Sequence, residues 1–88
     1  MVDYILTKHA RKRLDDRKVS VRLVEDALLY PTQLLADGDG DGKWLYKKLY
    51  AGEKKLRMLM LVVIMEGSRL KILTIIDTSK VKKYLKIK

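Results

Sequence analysis

One stripe of side chains near the amino terminus has the residue types needed for proton transfer at a phosphate. His9, Arg13 and Arg17 follow one another at intervals of four residues. In a helix they therefore share one face, which borders the apolar residues Ala10 and Leu14. A histidine in the first helical turn suits a general base at neutral pH, and the two arginines suit phosphate binding. The alternative is a half-buried histidine bonded to a nearby carbonyl, beside arginines that are only solvated.

A second candidate group combines aromatic residues with lysines. Trp44, Tyr46 and Tyr50 alternate along a predicted strand, so they share one face with Lys48, whereas Lys47 lies on the other face. Exposed rings of this kind stack on nucleobases while lysines hold the phosphates. Aromatic residues at this spacing also fill cores, so both interpretations, base stacking and packing, stay open.

An acidic, glycine-rich string suggests a cation site at first sight. Asp37-Gly-Asp-Gly-Asp-Gly42 has acidic residues and a glycine where a calcium-binding loop needs them. The match ends at the twelfth position, where Lys48 replaces the chelating glutamate, and strands rather than helices are predicted on either side. We therefore predict a flexible hairpin loop, no metal site and no cofactor. Whether the loop of residues 37–41 takes up a stray calcium or magnesium ion stays open.

Positive charge dominates the composition. The chain has 20 lysine and arginine residues against 11 acidic ones, a formal charge of +9 that favours an anionic partner. Residues 8–22 carry seven basic and two acidic side chains, residues 43–57 carry six and one, and residues 80–88 carry five and none. If folding brings two of these segments together, they form a phosphate-binding surface, so RNA or another nucleic acid is the predicted partner.

Length and composition limit the class of protein. A chain of 88 residues buries only about 60 to 65% of its unfolded surface, which predicts one domain over residues 1–88. The absence of cysteine excludes disulfides and thiolate metal sites and predicts a cytoplasmic protein. No membrane association is predicted, because the longest apolar stretch, residues 58–65, is far shorter than the roughly 20 residues of a spanning helix. The amino terminus also lacks the pattern of a signal peptide.

Two helices are predicted in the first third of the chain, and these would position His9. A short strand at Tyr4–Leu6 precedes them. Thr7 is a good cap for a helix that runs to about residue 18. Ser20 caps a second helix, whose apolar residues recur at helical spacing until Pro31 ends it.

The rest of the chain predicts a sheet and a final helix. The β segments lie at residues 33–36, 43–50, 56–65 and 70–76. Short links join the last three as antiparallel hairpins. Residues 77–79 are predicted to cap a short basic helix that begins at about Lys80. The predicted fold class is α+β, with two N-terminal helices packed on an antiparallel meander sheet of about four strands and a short C-terminal helix.

Three stretches of the chain form a more specific pattern. They are Leu6-Thr-Lys-His-Ala-Arg-Lys-Arg-Leu, Asp16-Arg-Lys-Val-Ser and a helix that ends at Tyr30-Pro31. This pattern resembles a family of small domains that begin with Thr-x-His-Ala, thought to be distantly related to the RelE/ParE toxin superfamily. The predicted order of elements is similar to that superfamily, and the resemblance covers nearly the whole chain.

The resemblance implies a RelE-like toxin, a ribonuclease of the mRNA interferase type. Such enzymes need no metal, because basic side chains and often a tyrosine promote attack of a ribose 2′-hydroxyl on the next phosphate. It implies a catalytic set of His9, Arg57 and Tyr84, for proton transfer and for stabilising the phosphorane. The implied RNA-binding set is Arg13, Arg17, Lys47, Lys48, Arg69 and Lys71. An acidic antitoxin is the implied protein partner, and a homodimer is a further assembly to test.

Two other functions fit the same residues. The first is a non-catalytic module that binds nucleic acid or a protein through the basic face, since gyrase-inhibiting relatives of these toxins cleave no RNA. It predicts salt-sensitive retention of RNA or DNA with intact product. The second is a degenerate relative that has neither activity.

Overall fold

Three helices and five strands make up the part of the chain that the structure describes. The computed structural model describes residues 3–36 and 42–85. In chain order the elements are β1 (Tyr4–Leu6), α1 (Lys8–Asp16), α2 (Val21–Leu29), β2 (Gln33–Ala36), β3 (Trp44–Ala51), β4 (Leu56–Glu66), β5 (Arg69–Thr78) and α3 (Val81–Tyr84).

The strands of the described residues form one mixed sheet in the order β1-β5-β4-β3-β2. Strands β2 to β5 form an antiparallel meander, as their short connections predict. The first strand pairs in parallel with β5, with Tyr4 opposite Leu70 and Leu6 opposite Ile72. The α+β class, the two N-terminal helices and the short C-terminal helix are confirmed.

The prediction of a sheet with about four strands, all antiparallel, is wrong in the number of strands and in the direction of one of them. The sheet has five strands among the described residues, and β1 makes it mixed. A strand of three residues carries too little pattern to identify a partner about 66 positions away. Its pairing depends on the two helices, which form the connection between opposite edges of the sheet.

Both N-terminal helices begin where their caps predict. The Thr7 side chain accepts a hydrogen bond from the Ala10 amide, and the Ser20 side chain accepts one from the Leu23 amide. Lys18, with a φ of 53°, lies in the turn between the helices. This turn ends α1 at Asp16, two residues earlier than predicted.

The main core lies between the two helices and one face of the sheet. Alternation along β4 points Leu59, Leu61 and Val63 toward the helices. The buried cluster also contains Ala10, Leu14, Val19, Val24, Ala27, Leu28, Ile72 and Ile75. Burying each large apolar side chain contributes about 1.5–3 kcal/mol, so this layer supplies most of the stabilisation.

The opposite face of the sheet is covered in part by α3. Met58 and Met60 of β4 point to this face and are buried, and α3 contacts β4. None of the helices in residues 3–36 and 42–85 is long and apolar enough to cross a membrane.

Candidate nucleic-acid interface

A basic groove runs between the start of β4 and the last helix. We call it the α3 groove. Its lining residues are Lys55, Leu56, Ser79, Lys80, Val81, Lys82 and Lys83. Four of the seven are lysines, which come from two of the three basic segments of the sequence. Folding therefore brings Lys55 of the second basic segment together with Lys80, Lys82 and Lys83 of the third, which is the condition for a phosphate-binding surface.

Apolar side chains line the same groove between the lysines. Leu56 is 50% exposed, and Val81 is partly buried. A groove lined by lysine residues and by apolar atoms suits a chain that alternates phosphates with sugars and bases.

A second, smaller pocket adjoins the α3 groove at the turn between β3 and β4. We call it the turn pocket. It is lined by Glu53, Lys54, Lys55 and Arg57. Lys55 lines both sites, so the groove and the pocket are neighbours that share one basic residue. Arg57, a predicted catalytic residue, lies at this end of the sheet.

Arg57 is held by an acidic residue that sequence reasoning did not select. Its Nε lies 3.3 Å from Asp77 Oδ1 and its Nη2 lies 3.4 Å from Asp77 Oδ2. The Tyr50 hydroxyl donates a hydrogen bond of 2.6 Å to the same Oδ1. Cross-strand register explains the cluster, because Tyr50 stands directly opposite Arg57 and Asp77 is opposite Leu59, the next residue on that face of β4.

Two members of this cluster, Tyr50 and Arg57, have raised pKa values. Burial raises the pKa of the Tyr50 hydroxyl, and the hydrogen bond to Asp77 raises it further. The hydrogen bond to Asp77 also raises the pKa of Arg57. Tyr50 is thus neutral and Arg57 charged at neutral pH, so Tyr50 is a hydrogen-bond donor rather than a general base.

His9 lies apart from Arg57. Its Nε2 is 3.1 Å from the Thr74 hydroxyl, and the ring is exposed rather than half-buried against a carbonyl. Thr74 precedes Asp77 by three residues, which is about 10 Å along β5. The Thr7 hydroxyl donates to the Leu73 carbonyl at 3.0 Å, where a register shift interrupts the β4–β5 pairing. This contact and the Thr7 cap fix the first turn of α1 and hence His9.

Arg13 lies on α1, one turn beyond His9, and Arg17 is the residue that follows the end of this helix. Arg13 is partly buried and Arg17 is exposed. Neither lines the α3 groove or the turn pocket.

The two predicted lysines of β3 point to opposite faces of the sheet. Lys47 is only 2% exposed, and its ammonium group donates to the Tyr84 backbone carbonyl. Lys48 is on the helix face and donates to the Tyr30 carbonyl at 2.8 Å. Lys47 therefore attaches α3 to the sheet, and Lys48 attaches the end of α2. Their roles in RNA binding stay predictions.

Tyr84, Arg69 and Lys71 occupy different parts of the molecule. Tyr84 is partly buried on α3, with the Lys83 ammonium 5.5 Å from its ring centre. Arg69 and Lys71 lie at the start of β5, roughly 25 Å along the strand from the α3 groove. Arg69 pairs with Asp3 at 3.1 Å and Lys71 with Glu66 at 2.9 Å. Arg57 lines the turn pocket and Tyr84 lies on α3, whereas Arg69 and Lys71 lie at the far end of β5.

The aromatic side chains of β3 share one face, as predicted, but they do not form an exposed row. Tyr46 and Tyr50 pack against the core, whereas Trp44 is 43% exposed. The predicted calcium-like loop, residues 37–41, lies outside the described residues. Residues 3–36 and 42–85 contain no group of three or more histidine, cysteine or acidic side chains arranged to hold a metal ion.

Comparison with family models, curated proteins and solved structures found no match for this chain.

The basic surface contains residues that the sequence analysis did not select. Lys54, Lys55, Lys80, Lys82 and Lys83 belong to basic segments that were recognised, but composition did not show which lysines meet. Asp77 was expected to cap the last helix. Instead it binds Arg57, and α3 has no side-chain cap, although the Thr78 hydroxyl accepts a hydrogen bond from the Lys80 amide. Strand register would have been needed to find this pairing.

Proposed function

We propose that this chain binds RNA through the α3 groove and the adjoining turn pocket. The observation that carries the proposal is the meeting of Lys55 with Lys80, Lys82 and Lys83 around an open groove with apolar atoms. None of the residues that line this groove is acidic, and Glu53 is the one acidic residue in the lining of the turn pocket. Each phosphate bound there releases counterions, which drives association at moderate salt.

The choice of RNA rests on the resemblance to the RelE/ParE superfamily and on the shape of the groove. Single-stranded RNA exposes apolar sugar and base surfaces between its phosphates, and Leu56 with Val81 offers matching surface between lysines. Retention of duplex DNA in preference to single-stranded RNA would contradict this choice.

A metal-independent ribonuclease is the second candidate function, favoured by the position of Arg57. Arg57 lines the turn pocket, where its guanidinium group would offset charge on a pentacovalent phosphorane. The two proposed proton-transfer residues are Tyr84, on α3, and His9, which contacts Thr74. In this proposal the chain is a RelE-like toxin, and an acidic antitoxin covers the lysines of the α3 groove.

The test measures binding of a fluorescently labelled single-stranded RNA by anisotropy over a series of salt concentrations. The variant Lys82→Gln/Lys83→Gln removes two charges from the groove. The control Lys12→Gln/Lys18→Gln removes two charges from exposed residues of the first helix and the turn that follows it. We expect the groove variant to bind roughly tenfold more weakly, with a salt slope smaller by about 1.4. Equal losses in the two variants would contradict the proposed groove.

The same RNA, incubated in excess EDTA with its product ends mapped, separates the two functions. Intact RNA from a protein that binds it supports the non-catalytic module. Products with 2′,3′-cyclic phosphate ends that Arg57→Ala no longer generates support the ribonuclease. Cleavage that persists in Arg57→Ala would overturn the assignment of Arg57.

A further inference from the structure

The guanidinium group of Arg57 is bound along only one of its edges by Asp77. Nε and Nη2 contact the two carboxylate oxygens, which leaves Nη1 outside this pair. The Arg57 side chain is 33% exposed, whereas the Asp77 side chain is only 11% exposed. The arginine is therefore anchored by a largely buried carboxylate while part of its surface lies in the turn pocket. The Tyr50 hydroxyl is a second partner of the guanidinium. A guanidinium held in this way can bind an anion through the N–H groups that neither Asp77 nor Tyr50 uses.

Two neighbours of Arg57 determine where its side chain lies. Tyr50 donates to the same Asp77 oxygen that accepts from Nε, which fixes the carboxylate. Gly52 leaves room for the aliphatic part of Arg57, because a Cβ at residue 52 would lie 2.9 Å from Arg57 Cδ and 2.7 Å from the Lys55 carbonyl. The need for glycine here is steric, since a methyl group at this position would displace Arg57 or the turn.

Lys54 and Lys55 complete the surroundings. Both line the turn pocket with Arg57, so three cationic side chains and one acidic side chain, Glu53, surround one concavity. The combination of an oriented guanidinium, two lysines and an open pocket fits the binding of a tetrahedral anion, because arginine presents parallel N–H groups that match phosphate oxygens.

We infer that the turn pocket is a phosphate subsite, in which Arg57, Lys54 and Lys55 bind the phosphate. Tyr50, Asp77 and Gly52 act as positioning residues for Arg57. The inference deepens the proposed function and rests on it for the source of the phosphate, which is either a backbone phosphodiester or the terminal phosphate of an RNA. The subsite requires a defined orientation of the Arg57 guanidinium group, which attraction between positive charge and phosphate alone does not require.

The first experiment titrates the protein with inorganic phosphate and follows the arginine Nε–Hε signals by NMR. We expect a saturable shift of the Arg57 signal in the millimolar range, with the signal of the exposed Arg22 unchanged. Tyr50→Phe and Gly52→Ala both keep the net charge, and each should raise the phosphate midpoint at least threefold. A structural role alone would lower their stability without moving this midpoint. An unresponsive Arg57 signal, or midpoints equal to that of the parent in both folded variants, would overturn the inference.

The second experiment compares RNAs of one sequence with a 5′-phosphate or a 5′-hydroxyl end. Several-fold tighter binding of the phosphorylated RNA, lost in Tyr50→Phe, assigns the pocket to the terminal phosphate. Equal binding of both RNAs, weakened in Tyr50→Phe, assigns it to the backbone. Unchanged binding of both RNAs by Tyr50→Phe would overturn the subsite.

The two experiments also separate the inference from the proposed function. Failure to bind either RNA, together with a saturable phosphate shift at Arg57, would refute RNA binding and retain the phosphate subsite. RNA binding without a phosphate response at Arg57 would retain the proposed function and refute the subsite.

Discussion

The buried ammonium group of Lys47 donates a hydrogen bond to the backbone carbonyl oxygen of Tyr84, which ties the last helix to the centre of the sheet. Lys47 is 2% exposed, so little of this contact is open to solvent. The helix α3 has only four residues and no side-chain cap of its own. Because Lys80, Lys82 and Lys83 line the α3 groove, Lys47 supports the proposed RNA interface from beneath the surface.

Replacing this lysine should weaken both the fold and RNA binding. Lys47→Met keeps most of the side-chain volume but leaves the Tyr84 carbonyl without this donor, at an expected cost of about 1–3 kcal/mol in the free energy of unfolding. RNA affinity should fall as well, because α3 loses its attachment. Urea unfolding and RNA anisotropy measure the two effects. Lys48→Met, which removes an exposed bond to Tyr30, is the matched control, and losses equal to those of the control would contradict the role of Lys47.

The two N-terminal caps should differ in strength. The Thr7 side chain accepts from the Ala10 amide and also donates to the Leu73 carbonyl, whereas the Ser20 side chain makes only the cap bond to the Leu23 amide among the described residues. We expect Thr7→Ala to cost about 2 kcal/mol and Ser20→Ala about 1 kcal/mol in unfolding free energy, measured in urea. RNA affinity should stay within twofold for Thr7→Ala. Equal costs for the two variants would show that the Leu73 contact contributes nothing.

Stability should decline at alkaline pH partly because of Tyr50. Burial and the Asp77 hydrogen bond raise its pKa in the folded protein above the usual value of about 10. The unfolded chain therefore loses the proton first, and stabilisation present below about pH 10 is lost as pH rises through the folded pKa. Tyr50→Phe should be less stable at neutral pH by about 1 kcal/mol and should lose less stability in the alkaline range.

Urea unfolding from neutral to strongly alkaline pH measures this difference. Burial and a hydrogen bond to Glu25 also raise the pKa of Tyr4. The variant Tyr4→Phe therefore measures how much of the alkaline loss of stability comes from this second tyrosine. Parallel stability profiles for Tyr50→Phe and the parent would contradict the prediction.

Removal of His9 should leave RNA binding unchanged. The ring contacts Thr74, and His9 lines neither the α3 groove nor the turn pocket. We expect His9→Ala to bind RNA within twofold of the parent, whereas Arg57→Ala binds roughly tenfold more weakly, as expected for loss of a charge-assisted phosphate contact. Anisotropy titrations compare the two. A loss in His9→Ala as large as that in Arg57→Ala would place His9 in the interface after all.

Local patterns in the sequence determined the elements of this protein. Thr7 and Ser20 fixed the starts of the two helices, because their side chains bond amides only three residues away. The β segments predicted at residues 33–36, 43–50, 56–65 and 70–76 correspond to β2, β3, β4 and β5. Helical periodicity, strand alternation and short turns depend on residues close in sequence, so they can be recognised before any tertiary contact is known.

Only the tertiary structure decided which distant residues meet. The parallel pairing of β1 with β5, the contact of Asp77 with Arg57 and the burial of Lys47 all join residues 20 or more positions apart. The meeting of Lys55 with Lys82 and Lys83 is of the same kind. Charge and residue type showed that a basic surface was available to form, but strand order and register determined its members, because a shift of one residue turns a side chain to the opposite face of the sheet.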